Sequence, residues 1–284
     1  MKNVSDRVVT SFTVEYNLTD HCNLSCYDCD HASPLLPPRF AALGDFVRDL
    51  EALAVAFHSK EVRLIGGEPL LHPDLLQFLK EARRIGIADS VVVYTNGVLL
   101  HEVPDEFWTL IDRLHISAYP GVRRRLDEKA CARVCAAHGV EFSIDHIDHF
   151  HKALVARRND DPRLVEAVYR SCEAANGCLT VHEGRFYKCS AAPIVKPWLA
   201  LHNVAFDNRE ADGVMLHDNE NLPDDLRRYL ASPAPLAACM HCLGTSGSPS
   251  PHRQLNRRGC GKWLEEDGTR DIAEARARLL GVAG

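Results

Sequence analysis

An α/β protein with a parallel sheet and outer helices, followed by a smaller cysteine-rich region, is the fold class this sequence predicts. Three observations predict it. β-rich runs alternate with helical periodicity through the first half, that rhythm stops near residue 150, and six of the eleven cysteines lie beyond residue 170. Residues 8–17 (VVTSFTVEYN) read as a strand, 40–57 as a helix, and 62–65 as a short strand ending in Gly66-Gly67. Residues 70–85 are helical by periodicity, and 90–95 (SVVVYT) have the β-branched run of a buried strand. A helix over 103–110, a strand over 114–118, a helix over 122–138 and a strand over 140–144 complete the series. After it come His/Arg-rich and Pro-rich stretches, a β-like piece over 180–187 and a loop over 244–251 (GTSGSPSP). The break places a domain over 1–160 and a second over 161–284.

The bulk properties exclude several function classes. The 284 residues are 46% hydrophobic and 25% charged with net charge −6, ordinary for a globular chain. No basic stripe suggests nucleic acid. No apolar run reaches the roughly 20 residues of a membrane span, and the first residues lack the apolar core of a signal peptide. The expectation is a cytoplasmic protein, without membrane or nucleic-acid partners. In that reducing setting a set of cysteines reads as metal binding or catalysis before disulfides.

Cys22, Cys26 and Cys29 form a CxxxCxxC triad directly after the first strand. Thiolates are soft ligands that suit iron–sulfur clusters, and three of them on a four-iron cluster leave one iron open. A zinc site is the alternative, with His21 or His31 as fourth ligand. Further on, Gly66-Gly67-Glu68-Pro69 follows the second strand, Thr95-Asn96-Gly97 the third, and Ser117 lies in the fourth. Together, and in this order, these segments resemble the radical S-adenosylmethionine (SAM) superfamily over about residues 10–145.

The resemblance implies a partial (β/α)6 TIM-like barrel. It implies a [4Fe–4S] cluster on Cys22, Cys26 and Cys29 whose open iron binds SAM and cleaves it to a 5′-deoxyadenosyl radical. It also implies SAM contacts from Gly66, Gly67, Glu68 and Pro69, from Thr95, Asn96 and Gly97, and from Ser117, with Glu68 as an acceptor for the SAM ammonium. A small-molecule substrate and a reductant such as flavodoxin or ferredoxin are the implied partners. One position departs from the pattern: the residue before the third cysteine is usually aromatic, and here it is Asp28.

Beyond residue 170, Cys172, Gly184 and Cys189 fit a CxnGx4C pattern, and Cys239-Met-His-Cys242 adds a CxxC. This resembles the twitch form of the SPASM domain, which implies an auxiliary [4Fe–4S] cluster on Cys172, Cys189, Cys239 and Cys242. Cys178 competes with Cys172, and a zinc knuckle or buried thiols are the alternatives. Cys260, in an Arg-rich and Gly-rich context, is the candidate catalytic hydrogen-atom donor. Cys131 and Cys135, one helical turn apart, read as core. The run IDHIDHFH (His146, Asp148, His149, His151) is either a source of acid–base groups or a polar strand cap. His241 reads as a surface residue, and 251–258 as a basic stretch that solvates the domain or binds an anionic group.

The layout resembles small twitch-containing enzymes of aminoglycoside biosynthesis. That implies abstraction of hydrogen from a carbohydrate-like substrate, ending in epimerisation with Cys260 as donor. Oxidation of an alcohol to a ketone through the auxiliary cluster is the second outcome, and modification of a ribosomal peptide the third. A non-enzymatic iron–sulfur carrier has no need of the GGEP and TNG segments.

Overall fold

The computed structural model describes residues 7–9, 13–175 and 177–281. Positions 10–12 of the expected first strand lie outside the described residues. The first half runs β1 (Val8–Val9), β2 (Thr13–Thr19), α1 (Leu43–Ala54), β3 (Phe57–Gly66), α2 (Leu75–Ile85), β4 (Ala88–Thr95), α3 (Asp105–Leu110), β5 (Arg113–Ala118), α4 (Glu128–His138) and β6 (Glu141–His146). The second half contributes β7 (His149–His151), α5 (Pro162–Ser171), β8 (Cys178–His182), β9 (Arg185–Tyr187), α6 (Ala192–Leu201), α7 (Arg209–Asp212), β10 (Gly213–Met215), α8 (Leu222–Ala231), β11 (Pro249–Pro251), α9 (Arg257–Leu264) and α10 (Thr269–Leu280).

The expected alternation is present, with shifted boundaries that have local causes. The helix expected over 70–85 splits into a short 3-10 turn at Pro69–Leu71 and α2. Pro73 forces His72 out of the helical region, to φ −71° and ψ 121°. α4 starts only at Glu128, where the Asp127 carboxylate accepts the Ala130 N–H at 2.8 Å. β3 is longer than expected because its first half, Phe57–Glu61, alternates buried and open positions and so hides from a search for apolar runs.

Strands β2 to β6 lie side by side in sequence order, all parallel. Phe46, Leu50 and Leu53 of α1 and Phe78, Leu79 and Ala82 of α2 are buried and join the main apolar core. β1 pairs in parallel with β3, and β8 is a further parallel strand, pairing with β2 on the side away from β6. The sheet therefore runs straight through the 160/161 position, and the β8–β9 hairpin and antiparallel β10 extend it.

Short helices, sparse in the sequence reading, dominate the second half. α5 places Leu164, Val165, Val168 and Tyr169 inward, and α10 packs on it through Ile272 and Ala275. Prolines open α5, α6 and α8, and Pro197 lies inside α6, which obscures their periodicity. Among the described residues no helix is long and apolar enough to cross a membrane.

Candidate active site

The chain leaves β2 at Thr19 and enters the loop that carries Cys22, Cys26 and Cys29. The three thiols line one cavity of about 270 Å³ at the carboxyl ends of the parallel strands, where α/β barrels bind ligands. Asp28 and Ala32 take left-handed backbone angles (φ 57° and 50°) as this loop winds. Burial pushes the thiols of Cys22 and Cys26 up to about 12, and Cys29 upward too; the neighbouring thiols add to the rise at Cys22 and Cys26. Such groups ionise only when a strongly cationic centre binds them. Among the described residues no three or more His, Cys, Asp or Glu side chains converge as a site for a single metal ion. The thiols border one cavity, and their soft sulfurs fit an iron–sulfur cluster.

Gly66 and Gly67 also line the cavity, and steric fit explains them. A Cβ on Gly67 would lie 2.1 Å from the His21 carbonyl oxygen, and one on Gly66 2.3 Å from that of Thr19. The Gly67 N–H donates to Thr19 O at 2.8 Å and the Glu68 N–H to His21 O at 3.1 Å. The glycines thus let the end of β3 hold the root of the cysteine loop.

Glu68 faces the interior. It is fully buried and absent from the cavity wall. Its Oε1 accepts the Thr95 hydroxyl at 2.7 Å and the Leu70 N–H at 3.0 Å, and its Oε2 accepts the Asn96 N–H at 2.9 Å. Burial pushes this carboxyl up to about 7. In this arrangement Glu68 organises the Thr95–Asn96 turn instead of facing the cavity. Pro69 opens the 3-10 turn, and Gly97, with φ 77°, lies behind the wall against Arg124. Thr95, Asn96 and Ser117 line the cavity. Asn96 Nδ2 donates to Asn23 Oδ1 at 2.7 Å and reaches Cys22 Sγ at 3.5 Å, tying the TNG turn to the cysteine loop.

Several cavity residues were not singled out from the sequence: Glu15, Tyr94, Tyr119, Phe150 and Ser190. Glu15 is an acidic residue in the middle of a buried strand, and that mismatch is the signal that exposes it. Burial raises its carboxyl to about 7, against the opposing pull of Arg63, whose guanidinium lies 3.6 Å away. Tyr94 is sandwiched between Arg63, 4.8 Å above its ring, and His115, stacked at 4.1 Å. Tyr27 is turned away from the cavity. Its hydroxyl donates to Glu266 at 2.6 Å and accepts from Lys152 at 3.0 Å, and the Arg253 guanidinium sits 3.8 Å over its ring. Asp28 does not line the cavity either.

A second cavity of about 80 Å³ is lined by Cys172, Cys189 and Cys242. A Cβ on Gly244 would lie 2.5 Å from Cys172 Sγ, so glycine makes room for that sulfur. Cys239 stands beside these thiols: burial pushes Cys189 and Cys239 up to about 12 and Cys242 well up, with each affected by the charge of others in the set. Cys178, in β8, also neighbours Cys189 and Cys172 but is not on this wall. Asp30, His31 and Ser190 line both cavities, so the two thiol sets flank a shared partition.

The remaining candidates separate. Cys131 and Cys135 are buried in the main core. Cys260 lies in α9, partly exposed, and lines neither cavity. His146 is exposed beside Glu128 and His149 pairs with Asp148, whereas His151 reaches the second cavity. His241 is buried against Phe206, contrary to the surface reading, because the CxxC turn packs it inward. The stretch 251–258 is likewise not a free solvated segment, since Gln254 bridges Cys26.

The comparisons with known proteins agree with this geometry. Residues 16–156 match the family described as the Radical SAM superfamily. The chain is 30% identical over 145 residues to a probable GTP 3′,8-cyclase of Sulfurisphaera tokodaii, covering 48% of this chain and 42% of that protein. It is 27% identical over 140 residues to a GTP 3′,8-cyclase of Rhodopirellula baltica, covering 48% and 38%. The chain thus spans less than half the length of these curated relatives. The solved structure of BtrN in complex with AdoMet and 2-DOIA superposes with a TM-score of 0.50 at 14% identity, covering 85% of this chain and 96% of that one. That likeness is one of fold. Through residues 16–156, this chain is a member of the radical SAM superfamily.

Proposed function

We propose that this radical SAM enzyme acts on a small, hydroxyl-rich, carbohydrate-like molecule and oxidises one of its alcohols to a ketone. The observation that carries this reading is the shared partition of Asp30, His31 and Ser190 between the cavity of Cys22, Cys26 and Cys29 and the thiol set of Cys172, Cys189, Cys239 and Cys242. The first set is suited to a [4Fe–4S] cluster with Thr95, Asn96 and Ser117 toward SAM, and the second to an auxiliary [4Fe–4S] cluster. Bound there, cluster and SAM supply the radical that starts the chemistry. Division at residue 160 is then functional: residues 1–160 carry SAM, and residues 161–284 the auxiliary thiols.

Oxidation of a secondary alcohol removes one hydrogen atom, one proton and one electron. The chain's share is the last two. Glu15, raised to about 7, is poised to take a proton from a hydroxyl in the cavity near neutral pH. The second thiol set would hold the auxiliary cluster, whose redox chemistry would accommodate the electron. The cavity walls, with Glu15, Tyr94, Asn96, Ser117 and His31, offer polar partners to hydroxyl groups. Epimerisation would need a hydrogen donor at the cavity, and Cys260 is not on its wall.

Reaction in heavy water tests the choice. Oxidation gives a product about two mass units lighter without deuterium at carbon, and Cys260→Ala leaves it unchanged. One deuterium incorporated, and lost in Cys260→Ala, would establish epimerisation instead.

A further inference from the structure

The segment after β11 does more than cover the cysteine loop. Gln254 forms a β-bridge with Cys26, the Tyr27 N–H donates to Arg253 O at 3.0 Å, and the Leu255 N–H donates to Ser25 O at 2.7 Å. This clamp puts the Gln254 amide on the cysteine sulfur. The Ser25 N–H is a donor, and it meets Gln254 Oε1 at 2.7 Å. That contact fixes the amide, so its NH2 end faces Cys26 Sγ at 3.1 Å. Its second N–H points to His252 Nε2, 3.1 Å away. His252 Nε2 is itself 3.3 Å from the same sulfur, and its ring stacks on Tyr119 at 4.9 Å on the cavity wall.

We propose that Gln254 is a positioning residue that sets the reduction potential of the cluster held by Cys22, Cys26 and Cys29. The inference rests on that ligand assignment. A hydrogen bond to a ligand sulfur stabilises the more negative, reduced cluster and raises its potential. The donor comes from the second half of the chain, so the region that carries the auxiliary thiols also adjusts the centre that must deliver the first electron.

The test is an EPR-monitored redox titration of the reconstituted full-length protein at about pH 8, following the signal that changes when SAM is added. Two variants are compared with the parent. Gln254→Met removes the donor. Gln254→Glu removes it too but keeps an acceptor for the Ser25 N–H, and so guards against loss of the clamp. The expected result is a more negative midpoint in each variant that retains iron. At fixed potential the reduced-to-oxidised ratio falls about tenfold, which is about 59 mV for one electron. A normal parent signal with unshifted or positively shifted variants overturns the inference alone. A parent with no SAM-sensitive signal overturns the ligand assignment and this inference with it.

Discussion

Glu68 and Thr95 meet at 2.7 Å in the interior, with the hydroxyl donating to a carboxylate that no solvent reaches. The same carboxylate takes the N–H of Asn96, so the turn that lines the cavity hangs on one buried acid. Glu68→Gln keeps the shape but sets an amide N–H against a backbone N–H. We expect a loss of about 1–3 kcal/mol in urea unfolding, together with weaker SAM binding by calorimetry. A variant of unchanged stability that loses SAM affinity alone would show that the side chain acts on SAM directly.

Gly67→Ala drives a methyl group onto the His21 carbonyl, at a separation of 2.1 Å before relaxation. Either the hydrogen bond from Glu68 N–H to His21 breaks or the cysteine loop moves. The expected outcome is a drop in bound iron after reconstitution and a lower thermal midpoint. Retention of parental iron content would refute the clamping role given to this glycine.

Cysteine substitutions distinguish the two thiol sets by iron count. Cys189→Ala or Cys242→Ala is expected to lower iron by about four atoms per chain and leave SAM cleavage measurable. Cys178→Ala and Cys260→Ala are expected to leave the count unchanged. If Cys178→Ala lowers it and Cys172→Ala does not, the fourth ligand has been assigned to the wrong residue.

The pH dependence of stability carries the signature of Glu15. Its carboxyl is raised by burial from the ordinary value of 4.5 to about 7. The folded state therefore binds more protons than the unfolded chain across that window. This contribution is fully present below about 4.5 and is lost as pH rises through about 7. Glu15→Gln should flatten that part of the stability profile by up to a few kcal/mol, since each tenfold change in proton affinity is worth about 1.4 kcal/mol. Unfolding midpoints of parent and variant from about pH 5 to 8 decide it; parallel profiles would remove Glu15 from the account.

The alternation of β2 to β6 with α1 to α4 was legible because each pair repeats a strong local pattern and ends in a functional loop. The strand–cysteine, strand–GGEP and strand–TNG junctions were legible for the same reason: their chemistry is contiguous in sequence. The pairing of β8 with β2 was hidden, because nothing local says which edge a distant strand will join. The internal hydrogen bonds of Glu68 were hidden too. Its motif suggests a ligand contact, whereas burial and three donors from the chain itself claim the carboxylate. Gln254 looked like part of a basic surface stretch, since a hydrogen bond across 228 residues leaves no trace in either segment.

Because β8 lies in register beside β2, from Thr13 against Cys178 to Tyr16 against Val181, one ladder of backbone hydrogen bonds joins the roots of both thiol sets. The Cys22 loop departs from β2, and the β8–β9 hairpin leads to Cys189. Strand separation, about 4.8 Å per step, then acts as a ruler that loops cannot rewrite. Insertions in the outer turns would vary what enters the cavity, while the spacing of the two thiol sets stays fixed by the backbone.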